Sequence, residues 1–191
     1  MDGLERYRIS SIEPNLITEE IVDWIASGTK FQPHFHIPLQ TGADSQLEAM
    51  GRHYDTAFFR GRIDYIRSRM EAPGRPKVFF GIDVMVGLPG ENMDSIRDTV
   101  EYINRFKLFG VKIHSVYVME GTVLAEIYRR GEYTPISQEE YTEAVAYILK
   151  NLPPEVVIHR LTGDCPRDML VAPEWNVRKS ETIDLIVKKL G

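Results

Sequence analysis

The sequence predicts an α/β fold: a partial (β/α) barrel of four parallel strands alternating with helices, closed by a C-terminal strand and helix. Three observations predict it. Short segments rich in β-branched and aromatic residues recur at Tyr7–Ser11, His34–Leu39, Val78–Val86 and Val111–Val118. Each is followed by a stretch with helical spacing and a start signal. Successive strands begin 27 to 44 residues apart, which leaves room for a crossover helix and so for parallel pairing.

The elements follow in order. Thr18 caps Glu19-Glu20-Ile21-Val22, with Trp24 and Ile25 in phase and two acids in the first turn. Asp44 precedes a short helix over Ser45–Met50, and Tyr54–Met70 carries Phe58, Ile63, Ile66 and Met70 near helical spacing. Asp94 precedes a helix over Ile96–Phe109 striped by Val100, Ile103 and Phe106. Thr122 caps a short helix through Tyr128, and Ser137-Gln138-Glu139-Glu140 is a capping box opening a helix to about Asn151. Pro153-Pro154 ends that helix and Val156–Leu161 is a fifth strand. Thr162–Trp175 reads as a loop rich in Gly, Pro and Asp, long enough to be functional or packed against the rest. Arg178–Leu190 is an amphipathic helix with Ile183, Ile186, Val187 and Leu190 on one face. No linker separates these parts, so residues 1–191 read as a single domain: a half-barrel core to about residue 121, then a helical extension with one strand.

Composition narrows the function classes. The chain has 191 residues, 43% hydrophobic and 27% charged, with a formal charge of −5 and its Lys and Arg scattered among acids. That is a globular composition without the basic footprint of a polyanion-binding surface. No apolar run approaches the ~18 residues of a membrane span, and MDGLERYRIS has no signal-peptide core, so the expected compartment is the cytoplasm. One cysteine, Cys165, forms no internal disulfide and cannot alone hold a zinc or iron–sulfur site.

In parallel α/β architectures ligands sit beyond the C-terminal ends of the strands. Here those positions read Ser10-Ser11-Ile12-Glu13-Pro14, Pro38-Leu39-Gln40-Thr41-Gly42, Gly87-Leu88-Pro89-Gly90-Glu91 and Met119-Glu120-Gly121-Thr122. All are polar or glycine-rich and would line one rim. Glycine lets backbone approach a ligand, and free N–H groups at a helix start can face an anion. Gly87-Leu88-Pro89-Gly90 is equally a tight turn with no ligand.

Four stretches, three of them containing rim segments, resemble the later half of a radical S-adenosylmethionine (SAM) core. They are Tyr7–Pro14, His34–Gly42, Met50-Gly51-Arg52-His53-Tyr54 and Asp83–Glu91. Over residues 4 to 97 the likeness is to tRNA methylthiotransferases, especially the threonylcarbamoyladenosine branch. From Gly110 on, Val111–His114, Gly121-Thr122 with Leu124-Ala125 and Tyr128, Val157–Asp164, and Ala172-Pro173 with Trp175 resemble a different radical SAM family. A chimera joined near Gly87–Asp94 or a divergent lineage would each account for two likenesses in one chain.

The resemblance implies a site and exposes a gap. In the family three cysteines spaced C-x-x-x-C-x-x-C hold a [4Fe–4S] cluster that cleaves S-adenosylmethionine; this chain has no such motif, so no radical chemistry is expected of it alone. What the resemblance retains is part of the S-adenosylmethionine pocket. Ser11 and Glu13 would offer hydrogen bonds near ribose or substrate, with Gln40 and Thr41 at the next rim position. Arg52 would pair with a carboxylate. Gly87, Pro89 and Gly90 would turn beside adenine, with Val118 and Met119 as apolar walls. The alternatives are structural: Glu13 serving the following helix, Arg52 in a surface ion pair, Val118 and Met119 in the core. Binding of tRNA is implied by the resemblance only.

His34 and His36 share a strand face, with His114 and His159 on other strands. No acid joins them at a recognisable spacing, so they read as barrel-lining histidines and no metal site is assigned. Four barrel strands leave open edges and an apolar inner face. A homodimer or the other half of a barrel is therefore expected to cover them. The reading that competes with a radical SAM fragment is a non-catalytic half-barrel scaffold with no ligand.

Overall fold

The computed structural model describes residues 3–71, 73 and 77–191. Helices α1 (Glu19–Ala26), α2 (Asp44–Ala49), α3 (Thr56–Met70), α4 (Met93–Ile103), α5 (Val123–Arg129), α6 (Gln138–Asn151) and α7 (Lys179–Leu190) alternate with six strands. The strands are β1 (His34–Gln40), β2 (Phe79–Val86), β3 (Gly110–Ser115), β4 (Val118–Met119), β5 (Val157–Arg160) and β6 (Leu170–Ala172). The main sheet is parallel and four-stranded, in the order β1-β2-β3-β5, while β4 and β6 form a separate antiparallel pair.

Strand alternation decides what each sheet face does. Phe35, Ile37 and Leu39 of β1 fall on one face, with Phe80, Ile82 and Val84 of β2 and Val111 and Ile113 of β3. They join one core with Ile63 and Ile66 of α3, Val100 of α4, Tyr141 and Val145 of α6, and Ile186 of α7. The helices therefore cover this face. A second, smaller cluster at the C-terminal end of the strands gathers Leu88, Val116, Val118, Ala125, Tyr133 and Ala172.

The opposite face corrects an expectation. It carries His34 and His36 of β1, Asp83 of β2, and Lys112 and His114 of β3, so its centre is polar where an apolar face was expected, with Phe79 beside His34 at one end. The sequence HFHIPLQ alternates polar and apolar residues at its start, and its polar set lies away from the helices. Apolar surface remains at one end of the sheet, where Phe79, Phe109, Val157 and Ile158 are exposed, the last two on β5, all four of whose residues are exposed.

Strand assignments shift for local reasons. Tyr7–Ser11 is not a strand: Tyr7 makes one isolated parallel bridge to Phe31, and the next bond to the sheet is from Ile12 N–H to the His36 carbonyl. The segment runs beside β1 but leaves its ladder unmade between those points. The fourth parallel strand is instead β5, inside Val156–Leu161. Val111–Val118 breaks after Ser115, and its tail becomes β4. The loop Thr162–Trp175 contains β6 and leads into a 3-10 turn, Glu174–Val177. The region beyond residue 121 thus holds two strands, not one.

Helix starts at Thr18, Thr122 and Ser137 are capped as the sequence indicates, the last with a complete capping box. Two aspartates act elsewhere. Asp44 lies inside α2, and its carboxylate accepts from the Thr56 N–H and hydroxyl at the start of α3. Asn92, not Asp94, caps α4, which ends at Ile103. Among the described residues no helix is long and apolar enough to cross a membrane.

Candidate functional site

The turn after β2 encloses its own side chain. Gly87 adopts φ 95°, and a Cβ there would lie 2.6 Å from Ile136 Cγ2, so both conformation and space require glycine. The Glu91 carboxylate folds back and accepts from Gly87 N–H at 2.5 Å and Leu88 N–H at 3.3 Å. Tyr133 donates its hydroxyl to the Gly87 carbonyl at 2.7 Å. The N–H groups of Asp94 and Ser95 in the first turn of α4 are taken by Asn92. Four N–H groups at this rim position, those of Gly87, Leu88, Asp94 and Ser95, are therefore occupied. Glu91 Oε1 is buried with no hydrogen-bond partner. Burial pushes its carboxyl up to about 7, against the pull of the two backbone N–H groups. A cavity of about 570 Å³ lies beside the turn, lined in part by Pro89, Glu91, Met93, Tyr133 and Ile136.

Across the rim, Arg52 Nη1 donates to Glu13 Oε1 at 2.7 Å, while Arg52 Nε is buried without a partner. Tyr54, two residues on, donates to the Pro38 carbonyl at 2.8 Å. Burial raises its phenol, with Glu13 and Asp83 adding to the shift and Arg52 opposing it, so these charges share one neighbourhood. Met50 packs against the cluster that contains Leu88, which brings the Arg52 turn towards the Gly87 turn.

The remaining rim residues divide. Gln40 ends β1 at φ 75°, where the β1–β2 register shifts, and is buried. Thr41 is fully buried, its hydroxyl donating to Gln46 Oε1 and accepting from Ala43 N–H. Its neighbour Gly42 donates to Thr99 Oγ1 at 2.9 Å. Those bonds dock the turn onto α4 and leave the Thr41 hydroxyl engaged. Ser11, Pro89 and Gly90 are exposed. Val118 is fully buried in the second cluster, and Met119 is half-buried beside it.

The polar sheet face is the constellation that sequence reasoning missed. Asp83 Oδ1 lies 2.8 Å from His36 Nε2, 3.5 Å from His114 Nε2 and 3.9 Å from Lys112 Nζ. Burial alone would raise the Asp83 carboxyl. Hydrogen bonds from His114 and His36, with the charges of His36 and Lys112, reverse this and hold it well below the usual carboxylate range. An acid does join the histidines, through strand register: Asp83 sits opposite Lys112, and His36 opposite Gly81. The available signal was polar residues at alternate positions in three strands of a parallel sheet, whose strands usually read as apolar throughout.

Fit to the cofactors differs. Cys165 is buried, its Sγ directed to the Pro166 carbonyl. Among the described residues no group of three or more His, Cys, Asp or Glu side chains is arranged to hold a metal ion. The residues present do not fit a [4Fe–4S] cluster. The rim fits S-adenosylmethionine in part: Arg52 keeps an unused buried donor, while the Thr41 hydroxyl is engaged.

Residues 109–191 match the Radical_SAM C-terminal domain. The chain is a relative of the radical SAM proteins. Over 178 residues, 93% of the chain, it is 26% identical to the Bacillus subtilis (strain 168) protein YtqA, of which it covers 53%. It is 31% identical over 127 residues, 66% of the chain, to 27% of the threonylcarbamoyladenosine tRNA methylthiotransferase MtaB of the same organism. The chain thus spans about half the length of the first relative and a smaller share of the second. One relative, YtqA, runs through both halves that resemble different families. Among solved structures, archaeal Methanocaldococcus infernus Elp3 with an N-terminal deletion superposes with a TM-score of 0.72 at 20% identity, over 96% of this chain and 42% of that one. That likeness shows the fold, an α/β arrangement consistent with a partial barrel.

Proposed function

We propose that this radical SAM relative holds S-adenosylmethionine along its rim, with adenine beside the Gly87–Gly90 turn and the amino-acid carboxylate on Arg52. The observation that carries this reading is the Arg52 guanidinium. One of its N–H groups is committed to Glu13 and the buried Nε–H is unused, which leaves a donor ready for a carboxylate. The cluster chemistry requires thiolates from outside the chain's single cysteine, so the chain alone is catalytically inactive and acts as a fragment of a larger core. By its kinship with a methylthiotransferase, the substrate class of that larger core is tRNA, in the cytoplasm. The exposed β5 edge leaves room for a partner, either a second copy or the other half of a barrel.

Calorimetric titration with S-adenosylhomocysteine tests the reading without a cluster. Expected is binding between roughly micromolar and low-millimolar affinity, weakened at least about tenfold by Arg52→Ala with unchanged circular dichroism. A folded wild-type protein that binds nothing overturns it. That outcome would favour the scaffold reading, which the engaged Thr41 hydroxyl and the fully buried Val118 support.

A further inference from the structure

The chain carries a net negative charge, yet four of its five histidines lie on the polar sheet face with Lys112 and Arg8. Asp83 is the acid among them. Two glycines make this arrangement possible. A Cβ at Gly81 would fall 2.8 Å from His36 Nδ1, and one at Gly110 would fall 2.3 Å from His159 Nε2. Gly81 and Gly110 are register partners on β2 and β3, so two imidazoles rest side by side against bare backbone. This is a built surface, not a scatter of solvated side chains.

Its proton arrangement is unresolved within the protein itself. His36 Nε2 donates to ionised Asp83 at 2.8 Å, yet Lys112 Nζ lies 3.1 Å from the same nitrogen and approaches as a donor. One ring nitrogen cannot serve both. The nearest Asp83 oxygen is 3.9 Å from Lys112 Nζ, too far for a hydrogen bond. The ammonium is therefore left without a good acceptor on a half-open face. On the other side, Arg8 Nη1 approaches His34 Nε2 at 3.2 Å.

We infer that this face binds a small oxyanion of the phosphate class, with Lys112 as its principal ligand and an imidazole N–H of His159 beside it, while His114 stays on Asp83. An anion gives Lys112 the acceptor it lacks, which frees His36 Nε2 to donate to Asp83. It also relieves the mutual repulsion of the cations. Burial, first, and then positive neighbours lower both His34, beside Arg8, and His159, beside Lys112. A bound anion opposes the second of these effects. This inference uses residues separate from Arg52 and the Gly87 turn and stands or falls apart from the S-adenosylmethionine reading.

The test is an NMR titration of the imidazole resonances with inorganic phosphate at constant ionic strength, with glycerol phosphate as a second arm. Saturable shifts at His159 are expected below roughly 10 mM phosphate, with the His159 pKa raised on binding. Lys112→Met should weaken binding at least about tenfold, and Lys112→Arg should restore most of it. Tighter binding of glycerol phosphate assigns the site to a phosphorylated small molecule. Equal or weaker binding assigns it to the free ion. Absence of saturable shifts in the wild type, or affinity unchanged in Lys112→Met, overturns the inference.

Discussion

Glu91 offers the sharpest quantitative test of how the turn after β2 is held. Its carboxyl is moved from an ordinary 4.5 to about 7 by burial, a linkage of at most about 3 kcal/mol. Below 4.5 the proton is bound in folded and unfolded chains alike and the group is neutral to stability. Between 4.5 and 7 the folded chain keeps a proton that the unfolded chain releases, so stability falls as pH rises. Above 7 both states are ionised and the whole cost is present. Between pH 5.5 and 8.5 the loss works out at about 2 kcal/mol. The substitution Glu91→Gln keeps an oxygen for the Gly87 and Leu88 N–H groups and removes the charge. At pH 8.5 it should stabilise the protein by about 1–3 kcal/mol, and at pH 5.5 by much less. For a urea slope of roughly 2 kcal/mol per molar, the wild-type midpoint should fall by about 1 M between the two pH values, and that of the variant by distinctly less. Equal pH dependence in the two proteins, or a variant weaker than wild type at pH 8.5, would refute the assignment of the shift to the buried Glu91 carboxyl.

Two further changes probe the same end of the sheet. Gly42→Ala would set a Cβ 2.7 Å from Thr99 Cα; because the obstacle is backbone, the turn must move off α4, at a cost of about 1–3 kcal/mol in thermal or urea unfolding. Tyr133→Phe removes the 2.7 Å bond to the Gly87 carbonyl, and a loss of about 1–2 kcal/mol is expected in equilibrium unfolding. Since burial pushes the Tyr133 phenol up to about 12, that loss should be the same at pH 6 and pH 9.

Features set by neighbouring residues were legible in the sequence. Thr18, Thr122 and Ser137 cap the helices they precede because a cap needs only a hydroxyl and an N–H three residues away. Features set by distant residues were not. Asp44 sits where an N-cap is expected, but its carboxylate accepts from Thr56 across the loop, while Asp55 caps α3. β6 is three residues long, and only its pairing with β4 makes it a strand. Tyr7–Ser11 has strand composition but too few ladder bonds beside β1. At the rim, the glycines marked a tight turn after β2, but Glu91 closing it from inside was not foreseen. Asp83 escaped because it stands 47 residues from His36, and only strand register sets one beside the other.

The bonds that Ser115 makes at the end of β3 bear on how the chain is assembled. Its hydroxyl donates to Asn176 Oδ1 and accepts from Gly163 N–H, residues 61 and 48 positions further along. Nearby, Trp175 donates its indole N–H to the Ile136 carbonyl. A nascent chain that has emerged only as far as β5 can lay down most of the parallel sheet, yet its upper end has no latch until Gly163 and Asn176 have followed. Contacts of such long sequence separation are slow to close. The half-assembled chain would meanwhile display Val116 and Val118 to chaperones and proteases. Ribosomal pausing just before Trp175 should therefore prolong the interval in which the upper end of the sheet is unlatched.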